Sequence, residues 1–244
     1  MSHVTVQKQA LEPPTGFYIG SNYSKGMNMD QAVERASKLD TATISDALDK
    51  LGIKGQCLGI KPRDHSFRMT GRAYTIQYGP ADVEPGTVGD YIDDLEPGTV
   101  VVLDNGGRED ATVWGDILTY LAHKNGVAGT VIDGACRDVH MCLKLGYPVY
   151  SRSYSMRTGK DRVQVDATNV PVNIGDAKVH PGDLLRGDSD GVIVIPKEHE
   201  EVVLTQAEKI EAAEEKIRAA LESGMRLDEA REINKYYSLQ TKEQ

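Results

Sequence analysis

The strongest constraint on the fold is a strand–helix–strand pattern that repeats across the middle of the chain. The apolar segments TVVVLD, GTVIDG and PVYSR alternate with two short helical segments, and glycine, proline or asparagine residues separate them. The uninterrupted apolar run from Val100 to Leu103 indicates a strand that is buried on both faces, as in a parallel sheet. The pattern therefore predicts parallel β-α-β packing and an α/β fold.

The segments on either side extend this prediction. RMTGRAYTIQYG is typical of another strand, and MDQAVERASKLD is typical of a first helix. TATISDALDKLG predicts a second helix that ends at Gly52 and is capped by Thr43 or Ser45. Near the end of the domain, GDLLRGDSDGVIVIP predicts two strands joined by an Asp-Gly turn.

The chain divides into three parts on these patterns. Residues 1–27 show no clear period and predict an irregular arm, whereas residues 28–198 form the α/β domain. Residues 199–244 are expected to be a C-terminal helical extension with a break at Gly224. Its broad charged face predicts that it packs on the body of the domain or on a neighbouring subunit, because such a helix is seldom stable alone.

Composition limits the classes of function. With 39% hydrophobic and 27% charged residues, the 244-residue chain fits a soluble globular protein, with no apolar run that could span a membrane and no secretory signal. The odd count of three cysteines favours the reducing cytoplasm. A net charge of −9, with only two Phe and one Trp, argues against a nucleic-acid partner.

Two polar clusters follow strands of the predicted sheet, where parallel sheets gather their ligands. The first is the helix start Gly115-Asp116-Ile117-Leu118, and the second is Arg137-Asp138. Asp133-Gly134, just before the second cluster, predicts a turn. Each cluster also has a purely structural interpretation. Asp116 would then be an ordinary charge in the first turn of a helix, and Arg137-Asp138 would be an ion pair on the surface.

The functional interpretation of these clusters is a site for an anion next to a cation. The free amides of Ile117 and Leu118 would hold a carboxylate, and Arg137 would add a charge-assisted bond to it. Asp138 is a hard oxygen ligand suited to Mg²⁺ or Mn²⁺, and Asp116 would bind a metal water or act as a base. A 2-oxo acid needs this combination, because its carboxylate and keto oxygen can chelate one metal.

The stretch GDILTYLAHKNGVAGTVIDGACRD closely resembles the signature of the RraA-like superfamily. TATISDALDKLG, GRAYTIQ, VVVLDNGGREDATVWG and GDSDGVIVIP also resemble family landmarks in the expected order, so the resemblance covers roughly residues 35–235. The superfamily includes 4-hydroxy-4-methyl-2-oxoglutarate/4-carboxy-4-hydroxy-2-oxoadipate aldolases and the RraA regulators of ribonuclease. The resemblance implies a layered α/β/β/α swivelling-type domain, assembled as homotrimers or hexamers with active sites at subunit interfaces.

The resemblance also implies roles for individual residues. Asp138 would support the divalent metal, Arg137 would contact the substrate and stabilise an enolate, and Asp116 would lie near the metal waters. The amides of Ile117 and Leu118 would hold the carboxylate of pyruvate. Since RraA regulators often lack the metal aspartate, its presence here favours a metal-dependent lyase. Such an enzyme would cleave a 4-hydroxy-2-oxo acid to give pyruvate, and would decarboxylate oxaloacetate as a side activity.

Further residues are implied less specifically. The aldolases carry an acidic residue three positions after the metal aspartate, but this chain has Met141 there, preceded by His140. A neighbouring subunit's C-terminal helix would supply a glutamate, for which Glu214 or Glu215 is preferred over Glu211. Arg68, Arg72 and Arg108 are candidates for an anionic substrate tail.

Two rival functions are weighed against the lyase. One is a non-catalytic RraA-type regulator that binds a ribonuclease or another protein partner. The other is a nucleotide- or cofactor-dependent enzyme such as a methyltransferase. It is disfavoured because no strand is followed by G-x-G-x-x-G and no G-x-x-x-x-G-K-S/T motif is present, while Asn105-Gly106-Gly107 after a strand is only a weak phosphate-loop signal.

Overall fold

A computed structural model describes residues 30–84 and 86–236, so the predicted arm at residues 1–27 lies outside the described residues. The helices are α1 (Gln31–Ser37), α2 (Thr41–Leu51), α3 (Asp116–Lys124), α4 (Val139–Leu145), α5 (Glu200–Glu222) and α6 (Leu227–Ile233). The strands are β1 (Lys61–Pro62), β2 (Met69–Pro80), β3 (Thr99–Thr112), β4 (Gly129–Cys136), β5 (Val149–Tyr154), β6 (Val163–Thr168), β7 (Val172–Ile174), β8 (Ala177–Val179), β9 (Leu184–Gly187) and β10 (Val192–Ile195).

The central sheet is parallel where the sequence predicts it. Strand β3 pairs in parallel with β2 and β4, and β4 pairs in parallel with β5. The full order is β1-β5-β4-β3-β2-β9-β10, with β6 also joined to β2. Strands β9 and β10 form the predicted antiparallel pair, and β7 and β8 form a separate hairpin. The parallel connections direct the ends of β3 and β4 to the same edge of the sheet.

Two groups of buried side chains hold the layers together. The larger group surrounds β3 and β4, where the four residues from Val100 to Leu103 have no exposed surface, and it includes side chains of α3 and α4. The smaller group joins α1, α2 and α5 to β9 and β10. This arrangement confirms the layered α/β fold and the long C-terminal helix.

The C-terminal helix packs on the body of its own chain. Its buried residues Leu204, Ala207 and Ile210 join the cluster that contains Ala47 and Leu48 of α2. The helix ends before Gly224, whose φ of 90° stops α5 ahead of α6, as the sequence predicts. Within residues 30–84 and 86–236, no helix combines the length and apolar character needed to cross a lipid bilayer.

The cap of α2 corrects a prediction made from the sequence. Asp40 is the N-cap residue, because its side chain accepts a hydrogen bond of 2.7 Å from the Thr43 amide. Thr43 and Ser45 both lie inside the helix, three and five positions after the cap residue, so the helix begins earlier than predicted. An aspartate caps as well as a serine or threonine, so the motif alone did not distinguish them.

The Asp133-Gly134 dipeptide is a second correction. It lies inside β4 and forms no turn, and Asp133 is only 5% exposed. Its carboxylate accepts hydrogen bonds from the Arg152 guanidinium and, at 2.9 Å, from the Gly175 amide. Partners from distant parts of the chain therefore satisfy a carboxylate that would be costly to bury alone.

Candidate functional site

The loops that follow β3 and β4 are tied to each other. The Arg137 amide after β4 donates a hydrogen bond of 2.9 Å to the Trp114 carbonyl after β3. The Trp114 ring is buried, stacks on Tyr147 with centroids 6.3 Å apart, and donates its Nε1 hydrogen to Thr119 at 2.9 Å. Both loops therefore rest on the core, and their polar side chains have a rigid base.

Asp138 joins the two predicted clusters. It has left-handed backbone angles, φ 54° and ψ 40°, at the start of α4. Its Oδ2 atom accepts a hydrogen bond of 3.2 Å from the Asp116 amide at the start of α3, and lies 3.4 Å from Nε of Arg137. The Asp138 side chain keeps 29% of its surface exposed. The structure thus brings a carboxylate, a guanidinium and a helix start to one point.

The first turn of α3 carries the predicted amide donors. The Ile117 amide donates to Oδ1 of Asp116 at 2.8 Å, so one of the two predicted donors is engaged by the preceding side chain. The Leu118 amide has no hydrogen-bond partner among the described residues. Gly115 precedes the helix, and a Cβ atom there would lie 3.0 Å from Oδ2 of Asp138 and 3.1 Å from Nε of Arg137. A larger residue at this position would press on both charged groups.

The first turn of α3 and Arg137 line a cleft of about 170 Å³. Gly115, Asp116, Ile117, Leu118 and Arg137 belong to its lining, and Asp138 does not. The lining also includes Val88 and the segment from Thr158 to Lys160, none of which was predicted from the sequence.

The segment from Thr158 to Lys160 is held against the end of β3. Thr112 and Thr158 form an isolated parallel bridge, and the Thr112 amide donates to the Arg157 carbonyl at 3.2 Å. A Cβ atom on Gly159 would lie 2.2 Å from the Thr112 carbonyl oxygen, so only glycine permits this approach. Lys160 makes no ion pair among the described residues, which leaves its charge available to a ligand.

The donor set suits a weakly held, hydrated cation. Among the described residues, no three His, Cys, Asp or Glu side chains are grouped closely enough to enclose a metal ion. Asp116 lines the cleft, and Asp138 is the neighbouring carboxylate, hydrogen-bonded to the Asp116 amide. Mg²⁺ is commonly bound through one or two carboxylates while it keeps several waters, so this pair fits such an ion and does not fit an all-protein cage.

The other arginines named from the sequence lie away from the cleft. Arg72 pairs with Asp30 at 2.7 Å and with Glu200, and Arg108 pairs with Asp110 at 3.0 Å. Arg68 lines a different cleft, described below.

The residues next to Asp138 in sequence occupy ordinary positions in the fold. His140 is exposed on α4, and the Met141 amide donates to the Asp138 carbonyl at 2.9 Å. Cys136 is buried, and burial raises the pKa of its thiol.

The C-terminal glutamates lie on α5 and do not line the cleft of their own chain. Glu211 and Glu214 pair with Arg218 at 2.6 and 3.4 Å, and Glu211 also accepts a hydrogen bond from Thr43. Burial raises the pKa of Glu214. Glu215 is exposed, whereas Glu214 is half-buried.

The fold and site together define an α/β domain that gathers charged groups at the carboxyl ends of parallel strands. The family description RraA-like, Aldolase/RraA, matches residues 41–194. This match covers more than half of the chain, and the chain therefore belongs to the RraA-like family.

Named relatives agree with this assignment. Protein DlpA of Legionella pneumophila is 39% identical over 215 residues, which are 86% of this chain but 35% of DlpA. The chain thus spans about a third of the length of that relative. A protein of Halalkalibacterium halodurans, provisionally named 4-hydroxy-4-methyl-2-oxoglutarate aldolase, is 36% identical over 177 residues, covering 72% of this chain and 82% of the relative.

Solved structures show the same fold. An uncharacterised protein from Pseudomonas syringae pv. tomato is 40% identical with a TM-score of 0.77, covering 82% of this chain and 96% of that one. RraAS2 of Streptomyces coelicolor, described as an unusual member of the RNase ES inhibitor RraA family, is 28% identical with a TM-score of 0.73. That match covers 78% of this chain and 98% of RraAS2. The family thus includes relatives named as aldolases and relatives named as regulators.

Proposed function

We propose that this chain is a divalent-metal-dependent lyase that cleaves a carbon–carbon bond of a 4-hydroxy-2-oxo acid and releases pyruvate. One observation carries the proposal: Asp138 contacts both the Asp116 amide and the Arg137 guanidinium, and Arg137 and the first turn of α3 line one cleft. The aldolase names of several relatives support the same reaction class. A 2-oxo acid has two adjacent oxygen groups, its carboxylate and its keto oxygen. The guanidinium with the helix start, and the proposed cation, are suited to bind them.

The chain's own groups have distinct tasks in this reaction. The Leu118 amide and the positive end of α3 bind the substrate carboxylate. The Arg137 guanidinium stabilises the negative charge that develops on the enolate oxygen when the bond breaks, and such preorganised stabilisation is usually the largest contribution to rate. Asp116 accepts the proton of the distal hydroxyl group through a water molecule, which starts the cleavage.

The metal is proposed to be Mg²⁺ or Mn²⁺ held by Asp138, with Asp116 contacting its waters. Oδ1 of Asp138 has no hydrogen-bond partner among the described residues, so it remains available for coordination. When bound, the cation would supply Lewis-acid polarisation of the keto oxygen. Met141 in place of an acid reduces the negative charge nearby and places more of the metal binding on these two aspartates.

Lys160 determines which substrates suit the cleft. It lines the same cleft as Arg137, and its ammonium group has no ion-pair partner among the described residues. A 2-oxo acid with a second carboxylate at its far end would place that group near Lys160. We therefore assign dicarboxylic oxo acids as the preferred substrate class.

Pyruvate release tests the proposed reaction directly. Coupling to lactate dehydrogenase would follow turnover of oxaloacetate and of several 4-hydroxy-2-oxo acids, with Mg²⁺ and with the metal chelated. Turnover should depend on the metal and should be fastest with a dicarboxylic substrate. A flat trace for all substrates in the presence of Mg²⁺ would contradict the lyase.

Replacing Gly115 with alanine should lower turnover about 100-fold without unfolding the protein. Its φ of −150° is open to alanine, but the added methyl group would lie about 3 Å from charged atoms of Asp138 and Arg137 and displace them. A displacement of about 1 Å in a catalytic group can cost about this much in rate. The measurement is kcat together with Tm, and Gly86→Ala, whose new methyl has only ordinary contacts, serves as the control. Full activity in Gly115→Ala would show that the charged groups need not stay in place.

We also propose a homotrimer or hexamer whose active site is completed by a neighbouring subunit. The face of α3 and α4 beside the cleft exposes the large apolar side chains of Ile117, Tyr120 and Leu143, which a second copy of the chain would cover. The exposed Glu215, or Glu214 beside it, would then enter the cleft of the next subunit.

Mixing inactive variants tests this shared site. Asp138→Asn and Glu215→Gln should each be inactive alone, and co-refolded mixtures should recover a measurable fraction of the wild-type rate, because some interfaces then contain both intact residues. The same mixture with Glu214→Gln identifies which glutamate acts. Full activity of both glutamate variants alone would exclude the partner's acid from the reaction.

A second candidate function is the regulator, favoured by the structural similarity to RraAS2. In this alternative the chain binds a ribonuclease or another protein and performs no chemistry. Stable capture of a nuclease, together with no heat of Mg²⁺ binding in calorimetry, would favour it over the lyase. For location we propose the cytoplasm, where three free and buried cysteines stay reduced.

A further inference from the structure

A second cleft lies at the opposite edge of the sheet. Arg68 precedes β2, so this cleft is at the amino ends of the parallel strands, whereas the candidate active site is at their carboxyl ends. Its volume is about 580 Å³, and its polar lining consists of Arg68, Arg186, Thr70, Ser37, Asp30 and Glu34. We call it the Arg68–Arg186 cleft.

Arg186 is an unusually buried cation. It is 8% exposed, and its guanidinium donates to the Leu39 carbonyl at 2.9 Å and to the Thr70 hydroxyl at 3.3 Å. Among the described residues, Nη2 has no hydrogen-bond partner and no carboxylate lies within 4.0 Å of the group. A buried charge of this kind is costly unless an opposite charge compensates it.

Arg68 adds a second positive charge to the same cleft. Its Nη1 atom donates to the carbonyls of His65 and Phe67, both at 2.8 Å, and the described residues offer it no ion pair. Burial lowers the pKa of Arg186, Asp188, Tyr150 and Asp40 oppose this effect, and the charge of Arg68 lowers the pKa further. The two guanidinium groups therefore repel each other, and no carboxylate of the described residues lies within 4.0 Å of either group.

The nearby carboxylates are already engaged elsewhere. Asp30 binds Arg72 at 2.7 Å and caps α1, and Glu34 pairs with Lys38 at 2.9 Å. Asp188 accepts two hydrogen bonds of 2.7 Å from Thr41.

We propose that the Arg68–Arg186 cleft binds a phosphate group, either as free phosphate or as the terminal group of a small phosphomonoester. Two guanidinium groups match the charge of a dianion and offer paired N–H donors to its oxygens. The Thr70 hydroxyl beside Arg186 supplies a neutral donor, and the cleft has room for an organic group attached to the phosphate. The site is separate from the proposed lyase chemistry and does not depend on it.

Calorimetry on the full chain, at constant ionic strength and without metal, tests this site. The probes are inorganic phosphate, phenyl phosphate and acetate. Phosphate should bind saturably, and Arg68→Gln should weaken it about tenfold or more, because a charged hydrogen-bond donor is lost from an exposed position that folding does not need. Arg226→Gln is the matched control, because it removes another exposed arginine, whose ion-pair partner among the described residues is Asp228. The phosphate affinity of this variant should equal that of the wild type.

Each outcome decides something about the proposal. Tighter binding of phenyl phosphate than of phosphate would identify an esterified ligand, and the reverse would identify the free ion. Acetate binding as tightly as phosphate, no saturable binding of either phosphate probe, or equal affinity in Arg68→Gln and wild type would each overturn it. Because the pyruvate assay uses neither variant, failure here leaves the lyase proposal to its own test.

Discussion

Replacing Asp138 with asparagine should lower pyruvate formation on the order of 1000-fold, because several kcal/mol of metal-supplied charge stabilisation would be lost. The free energy of unfolding should change by only about 0.5 kcal/mol. Asparagine tolerates the left-handed backbone of this position, and its amide oxygen can still accept the Asp116 hydrogen bond. The variant therefore removes the charge and keeps the geometry. Steady-state kinetics with Mg²⁺ and chemical denaturation are the two measurements.

Two further variants complete this test. Asp161→Asn makes the same exchange at another left-handed aspartate, φ 61°, that does not line the cleft, and it should keep full activity. Asp138→Ala should be about 1–2 kcal/mol less stable than Asp138→Asn, since alanine disfavours this backbone and offers no hydrogen-bond acceptor. Wild-type turnover in Asp138→Asn would rule out a metal held by this side chain.

Replacing Arg137 with lysine should lower kcat about 100-fold or more while KM changes little. Lysine keeps the positive charge but cannot present the flat pair of donors that a developing enolate oxygen and a carboxylate share. The Arg137 amide would still bond to Trp114, so the loop should stay in place. The loss is then confined to the transition state, which is the pattern expected when kcat falls and KM does not.

Kinetics over a range of substrate concentrations separate these possibilities. Arg226→Lys, an exposed exchange of the same kind, should leave both constants unchanged. A rise in KM with an unchanged kcat would mean that Arg137 only holds the substrate. That outcome would remove enolate stabilisation from its role.

The sequence was most informative where side chains are buried in regular elements. The apolar run from Val100 to Leu103 predicted a strand buried on both faces, and all four residues have no exposed surface. The rule that ligands gather at the carboxyl ends of parallel strands placed Asp116 near Asp138, 22 positions apart, and the two are joined by a hydrogen bond. Periodicity and connection rules act locally, so one chain is enough to apply them.

Long-range contacts were the part that could not be predicted. Thr158 and Lys160 belong to an irregular segment, and the bridge from Thr112 to Thr158 brings that segment to the cleft that Arg137 also lines. The Asp133-Gly134 dipeptide resembles a turn until Arg152 and Gly175 supply partners for its carboxylate. Such pairings depend on how separate elements meet in space, and no spacing pattern in the sequence records them.

The left-handed backbone of Asp138 has a consequence for how this family can diversify. Aspartate, asparagine and glycine are the residues that accept this conformation at little cost, and their codons are related by single-base changes. A lineage could therefore exchange the charged side chain for a neutral one by one mutation, with the scaffold almost undisturbed. A catalytic protein and a non-catalytic scaffold protein would then differ by a single substitution. The residue at this position would be the first to compare among relatives of differing activity.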